Sequence, residues 1–116
     1  MQEVATGKHA ELLSAEFLEK NSLTIICKNY RIDGGEIDII ARDGDYWVFC
    51  EVKYRQHEHF ASVLEQIKPQ QCRRVRHTAR YYLLSNNIDE HTAAIRFDVI
   101  AVVGHPTKIE WFKDAF

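Results

Sequence analysis

Two acidic residues and a lysine on neighbouring segments have types and spacing that suit divalent-cation chemistry. Asp38 lies in the segment Gly-Glu-Ile-Asp-Ile-Ile (35–40), and Glu51 and Lys53 lie in Val-Phe-Cys-Glu-Val-Lys (48–53). Carboxylate oxygens are ligands that Mg²⁺ takes readily, together with water and phosphate oxygens. A nearby ammonium can orient an attacking water or neutralise a phosphate oxygen in the transition state. These three residues are therefore candidates for metal-assisted hydrolysis if the fold brings them together.

The turn between the two segments decides whether the carboxylates meet. Strand side chains alternate between the two faces of a sheet. A two-residue turn at Gly44-Asp45 pairs Asp43 with Tyr46, and counting along the ladder then sets Asp38 directly opposite Glu51. A two-residue turn one position earlier keeps both carboxylates on one face, whereas a three-residue turn separates them. Burial of the apolar face favours a two-residue turn.

The same register has an electrostatic consequence. It sets Glu36 opposite Lys53 and brings the two carboxylates to about 5 Å apart at Cβ. Like charges this close repel, so a cation between them is favoured. The alternative is structural: Lys53 bridges Asp38 and Glu51 in a solvated cross-strand network, with no bound metal.

Hydrophobic periodicity predicts a helix, a three-strand antiparallel meander, further helical segments and two final strands. The order αβββαββ indicates an α/β layered domain with a mixed sheet. Gln56–Phe60, which contains His57 and His59, is expected to be a polar loop. The predicted elements are the helix Lys8–Lys20, the strands Leu23–Ile32, Glu36–Arg42 and Tyr46–Arg55, the helical turn Ala61–Ile67, the helix Pro69–Leu84, and the strands Ile95–Val103 and Lys108–Phe112.

Length and composition indicate one globular domain that spans residues 1–116. The hydrophobic fraction of 46% and the charged fraction of 28% are ordinary for a globular protein and exclude a disordered chain. No apolar run is long enough to span a bilayer, and the N-terminus has no apolar core of a secretory signal. Three widely spaced cysteines predict reduced thiols and a cytoplasmic location.

Basic residues concentrate in one part of a chain whose net charge is only −2. The stretch from Gln66 to Ile88 contains no Asp or Glu. Its basic side chains could contact the phosphates of a nucleic acid, or they could form only a solvated helix face. Arg55, which shares a strand face with Glu51, is a further candidate phosphate contact, with a surface ion pair as the alternative. The predicted nucleic-acid-binding residues are Arg55, Lys68, Arg73, Arg76 and Arg80.

The chain resembles two related groups of proteins. Asp38 followed after twelve residues by Glu51-Val52-Lys53 resembles the PD-(D/E)xK nuclease signature, although Ile37 stands where that signature has proline. A more extensive resemblance, over nearly the whole chain, is to the YraN-like family of small bacterial proteins. It is carried by Gly7-Lys8-His9-Ala10-Glu11, Asn29-Tyr30-Arg31, the segment 35–40, the segment 48–55, and Arg96-Phe97-Asp98-Val99.

The resemblance implies a restriction-endonuclease-like αβββαβ core, with a mixed central sheet and flanking helices, as in archaeal Holliday-junction resolvases. It implies that Asp38 and Glu51 are metal ligands and that Lys53 is the catalytic lysine. The carbonyl of Val52 and the side chain of Glu11 would be further ligands of Mg²⁺ or Mn²⁺.

The function expected from these residues is endonucleolytic hydrolysis of DNA, with branched, nicked or single-stranded DNA as the substrate. Because one small domain offers one active face, cutting two strands would require a homodimer. The alternatives are a non-catalytic nucleic-acid-binding module and a structural protein that retains the fold.

Overall fold

The computed structural model describes residues 7–56, 60–104 and 106–116. All the predicted helices and strands are present, and Tyr46–Arg55 and Lys108–Phe112 have the predicted bounds. The expected polar loop with His57 and His59 lies outside the described residues. The elements are α1 (Gly7–Lys20), β1 (Thr24–Ile32), β2 (Gly35–Asp43), β3 (Tyr46–Arg55), α2 (Phe60–Glu65), α3 (Pro69–Ser85), β4 (Ala94–Val103) and β5 (Lys108–Phe112).

The strands of the described residues form one mixed sheet in the order β1-β2-β3-β4-β5. β1, β2 and β3 are an antiparallel meander, and β5 is antiparallel to β4. β3 and β4 are parallel, so the chain must cross over between them, and α2 and α3 lie on this crossover. The prediction of a mixed α/β fold is confirmed.

Helices cover both faces of the sheet, and each covers its own apolar core. α1 packs through Ala10, Ala15 and Leu18 on a cluster that includes the buried thiol of Cys50. α3 packs on the opposite cluster, which includes Phe49 of β3. Because side chains alternate along a strand, Glu51 and Lys53 lie on the same face of β3 as Phe49, which is the α3 side. The α3 residues in this core are Val75, Ala79, Tyr82 and Leu83.

One apolar residue of β2 does not follow the predicted alternation. Strict alternation along β2 would place Ile37 on the same face as Ile39, but Ile37 belongs to the α3-side core and Ile39 to the α1-side core. On β1, Asn29 lies between the residues that pair with Ile37 and Ile39, and its φ of 54° is left-handed. A left-handed residue interrupts the regular pleat, so β1 and β2 are irregular at the level of Asp38.

A buried ionic network holds the β2–β3 turn and the C-terminal segment on the sheet. Asp98 is fully buried and accepts hydrogen bonds from Arg96 Nε (2.9 Å), Trp111 Nε1 (2.8 Å) and the backbone N–H of Asp114 (2.9 Å). Arg96 also reaches Asp43 Oδ2 at 3.0 Å. Burial lowers the pKa of Arg96, but the hydrogen bonds and charge of Asp98 and Asp43 outweigh it and raise the pKa overall. The network thus anchors Asp43, the first residue paired across the turn.

No helix among the described residues has both the length and the apolar character needed to cross a membrane.

Candidate functional site

The register of the β2–β3 hairpin brings Asp38 and Glu51 to the same place. Asp43 pairs with Tyr46 across the turn, as predicted, and the ladder continues to the pair Ile39–Cys50. Asp38 and Glu51 come immediately after this last pair. There the backbone N–H of Val52 donates a hydrogen bond of 2.8 Å to Asp38 Oδ2. A carboxylate of β2 therefore takes the place of a backbone partner at the point where the two strands separate.

The predicted pairing of Glu36 with Lys53 is wrong. The β2–β3 ladder ends at Ile39–Cys50, so Glu36 pairs instead with Arg31 on β1. The two side chains form an ion pair of 3.5 Å.

Glu51 is held in its neutral form by its surroundings. Burial, then the hydrogen bond to Asp38 and the charge of Asp38, raise the pKa of Glu51 to about 8, against the opposing charge of Lys53. Burial of Glu51 and its hydrogen bond to Asp38 therefore favour the protonated form of the Glu51 carboxyl. A divalent cation is attracted to both oxygen donors and would replace that proton, because metal binding requires deprotonated ligands. The donor set of this site therefore fits Mg²⁺ or Mn²⁺, both of which prefer carboxylate and carbonyl oxygens.

Backbone geometry adds a third oxygen to the same region. In a strand, the N–H and C=O groups of one residue point to the same neighbouring strand. Since the N–H of Val52 is directed at Asp38, its carbonyl oxygen is directed to the same side of β3. The role of Val52 as a backbone ligand stays a prediction.

Lys53 lies close enough to Glu51 to affect its pKa but does not bridge the carboxylates. The charge of Lys53 lowers the pKa of Glu51. Among the described residues, Lys53 forms no ion pair with Asp38 or Glu51. The bridging of both carboxylates by Lys53 is therefore not seen among the described residues.

Glu11 approaches the pair from α1. Burial, followed by the negative charges of Asp38 and Glu36, raises the pKa of Glu11, while a hydrogen bond with the Asn29 side chain opposes the shift. Within ranges 7–56, 60–104 and 106–116, no three His, Cys, Asp or Glu side chains form a ready metal-binding group. Mg²⁺ is commonly held by one or two carboxylates, with waters and substrate oxygens completing the shell.

Asp38 and Glu51 line an open recess between the β1–β2 hairpin and α3, which we call the acidic recess. Its volume is about 770 Å³. Gln71 of α3 donates a long hydrogen bond of 3.5 Å from Nε2 to Glu51 Oε2. The other lining residues are Arg31, Ile32, Gly34, Gly35, Glu36, Arg74 and Val75.

The sequence interpretation missed Gln71 and Arg74 as site residues. Both lie on the same side of α3 as the buried Val75, at the three- and four-residue spacing that places helical side chains on one face. The sequence therefore shows that Gln71 and Arg74 share a face of α3. It indicates a functional role for them only once that face is known to lie over Glu51.

The residues predicted to contact phosphates do not line the acidic recess. Arg55 donates to Gln66 Oε1 (3.0 Å) and to the carbonyl of Tyr54 (2.7 Å), at the end of β3. Lys68 immediately precedes α3. With 3.6 residues per turn, the exposed stripe of α3 lies nearly opposite the helix face that lines the acidic recess. This stripe consists of Arg73, Arg76 and Arg80.

Two arginines of the stripe already have partners. Arg76 lies 4.8 Å over the ring of Phe97. Arg80 forms an ion pair of 2.9 Å with Glu90. Arg80 would have to exchange Glu90 for a phosphate, whereas Arg76 can keep its ring contact while binding one.

The fold and the site define an α/β protein with a carboxylate pair at the end of a hairpin ladder. Residues 10–102 match the model of uncharacterised protein family UPF0102. The chain is 84% identical to a UPF0102 protein of Idiomarina loihiensis over the full length of both. It is 40% identical to one of Shewanella denitrificans, covering 97% of this chain and 100% of the relative. It is 38% identical to one of Aliivibrio fischeri, covering 96% and 90%. The chain therefore belongs to the UPF0102 family, which confirms the YraN-like resemblance.

Proposed function

We propose that this protein is a metal-dependent endonuclease with a PD-(D/E)xK core, which hydrolyses phosphodiester bonds in branched or otherwise distorted DNA. One observation carries the proposal: the carboxylates of Asp38 and Glu51 meet where β2 and β3 separate, beside the ammonium of Lys53. The elements α1, β1, β2, β3, α3 and β4 supply the αβββαβ order of such a core, and α2 and β5 are additions to it.

Asp38, Glu51 and the carbonyl of Val52 would hold Mg²⁺ or Mn²⁺, with Glu11 approaching from α1. When bound, the ion lowers the pKa of a coordinated water and stabilises negative charge on the scissile phosphate. The hydrogen bond from Val52 N–H fixes the Asp38 carboxylate in the position required for this role. Gln71 restrains the Glu51 carboxylate from the other side.

Lys53 acts on the substrate in this proposal. Its ammonium lies on the α3 side of β3, one pleat repeat beyond Glu51, at about 7 Å along the strand. From there it can hold the attacking water or donate to a nonbridging phosphate oxygen as charge develops. Arg55, Lys68, Arg73, Arg76 and Arg80 would bind more distant phosphates of the DNA.

A cleavage panel tests this function. Purified protein is incubated with linear duplex, single-stranded, flap and four-way DNA in Mg²⁺ or Mn²⁺. We expect cleavage of at least one non-linear substrate, and a loss of about 100-fold or more in Asp38→Asn, Glu51→Gln and Lys53→Ala, the size usual for removing a transition-state contact. Glu16→Gln, on the exposed face of α1, is the matched control and should cleave like the unmodified protein.

The contrary outcomes are also informative. Equal cleavage by all three site variants would show that a contaminating nuclease is responsible. DNA retardation without cutting in either metal would identify a non-catalytic nucleic-acid-binding module. Calorimetry with Mn²⁺ provides an independent check, since binding should be present in the unmodified protein and lost in Glu51→Gln.

A further inference from the structure

We propose that the acidic recess also contains a phosphate subsite, centred on Arg74, that receives the backbone of an unpaired DNA strand. The proposal rests on the proposed function, because it places the strand that is cut. It differs from the sequence expectation, which assigned the phosphate contacts of α3 to Arg73, Arg76 and Arg80. Arg74 lines the same recess as the two carboxylates, whereas the stripe faces away from them.

Close packing between the hairpin and α3 forms the walls of the recess. A Cβ atom at Gly35 would overlap Thr78 Oγ1, so only glycine permits this approach without a shift. The Thr78 hydroxyl is itself fixed, since it donates a hydrogen bond of 2.8 Å to the carbonyl of Arg74. Gly34, with a φ of 86°, forms the left-handed turn that leads into this contact. The distance between the hairpin and α3 at Arg74 is therefore set by packing of Gly35 on the Thr78 side chain.

The charges in the recess match a phosphodiester next to a metal site. Within the described residues, the Arg74 guanidinium forms no hydrogen bond or ion pair. Arg31, on the opposite wall, is bonded to Glu36, but its side chain is 71% exposed and can turn toward a ligand. A planar guanidinium binds phosphate with two parallel hydrogen bonds, which makes Arg74 the strongest anion ligand of the recess.

The shape of the recess favours an unpaired strand. Its volume of about 770 Å³ is that of a small-molecule pocket. A duplex holds each backbone on the outside of a broad helix, whereas a phosphate bound in the recess lies between the hairpin and α3. A strand released from its complement can bend into this space, as in enzymes that act only on displaced or single-stranded nucleotides. We therefore expect the cut to fall in a flap, a loop or an unpaired junction arm.

Binding without metal tests the subsite separately from cleavage. Fluorescence anisotropy in EDTA measures the affinity for a labelled oligothymidine, with an unlabelled duplex as competitor. Arg74→Ala should weaken single-strand binding about tenfold and reduce the steepness of its salt dependence by about 0.7, the value for one phosphate contact. Arg74→Lys should recover part of the affinity. The matched control is Arg42→Ala, because Arg42 lies 4.2 Å over the Trp47 ring, outside the recess.

The outcomes separate this inference from the proposed function. If the protein cuts DNA but Arg74→Ala binds and cuts like the unmodified protein, the subsite is refuted and the nuclease stands. If nothing is cut in any metal but single-strand binding depends on Arg74, the subsite stands and the nuclease does not. Duplex binding that equals single-strand binding in strength and in its dependence on Arg74 overturns the choice of an unpaired strand. An unchanged melting temperature of Arg74→Ala confirms that the fold is intact.

Discussion

Replacement of Glu51 by glutamine should stabilise the metal-free protein while removing its metal affinity. The folded state raises the pKa of Glu51 from an ordinary 4.5 to about 8, mainly by burial and through Asp38. The folded protein therefore holds this proton more tightly than the unfolded chain. Between these two values unfolding releases a proton, so the stability falls as the pH rises. Below this pH range Glu51 is protonated in both the folded and the unfolded state, and above it Glu51 is ionised in both.

The size of this pH dependence follows from the pKa shift of Glu51. Because proton binding and unfolding are linked, the two pKa values of Glu51 predict that the free energy of unfolding falls by about 3 kcal/mol between about pH 5.5 and about pH 8.5. Glutamine keeps the shape of the neutral carboxyl but cannot ionise. The variant should therefore lack this part of the pH dependence and be the more stable protein at the alkaline end.

Urea denaturation in EDTA at the two pH values measures the difference. The unmodified protein should lose stability relative to Glu51→Gln as the pH rises, and Glu16→Gln should follow the unmodified protein. Added Mn²⁺ should restore the stability of the unmodified protein at alkaline pH but should not change that of Glu51→Gln, because a ligand stabilises only a folded state that binds it. Parallel pH profiles for the unmodified protein and Glu51→Gln would refute the idea that burial and Asp38 raise the pKa of Glu51 in the folded state.

Three further changes have defined outcomes. Gly35→Ala should lower the free energy of unfolding by about 1–3 kcal/mol in urea titrations, because its Cβ overlaps Thr78 Oγ1. An equally large effect in a Thr78→Ala background, which lacks this hydroxyl, would show that the contact does not limit the approach. Asp98→Ala should lower the free energy of unfolding by about 3–5 kcal/mol, because Arg96 loses its buried partner. A melting temperature within a degree of that of the unmodified protein would contradict this. Lys53→Met should abolish cleavage while calorimetry still detects Mn²⁺ binding, and loss of both together would make Lys53 a structural residue.

Much of the β2–β3 hairpin could be predicted because the information is local. Gly44 has a φ of 58°, which suits a tight turn, and the alternation on both sides allows only a register that buries the apolar residues. That register brings Asp38 and Glu51 together without reference to the rest of the chain. The element bounds followed for the same reason, since periodicity and turn residues act over short distances.

The errors arose where distant segments meet. The pairing of Glu36 with Lys53 assumed an unbroken ladder, but the strands separate after Ile39–Cys50. The role of Asp98 was also hidden, because its partners come from β4, from β5 and from the C-terminal segment. A buried charge is tolerated only when such partners converge on it.

The amino-acid sequence by itself determined the family, the order of elements and the meeting of two carboxylates across one tight turn. These properties depend on short-range periodicity, on the residues of tight turns and on short sequence motifs. Only the tertiary structure decided where the ladder ends, how strongly Glu51 holds its proton, and which face of α3 covers the site. Gln71 and Arg74 reach the recess because packing of Val75 and Thr78 orients the helix, and that packing joins residues far apart in the chain.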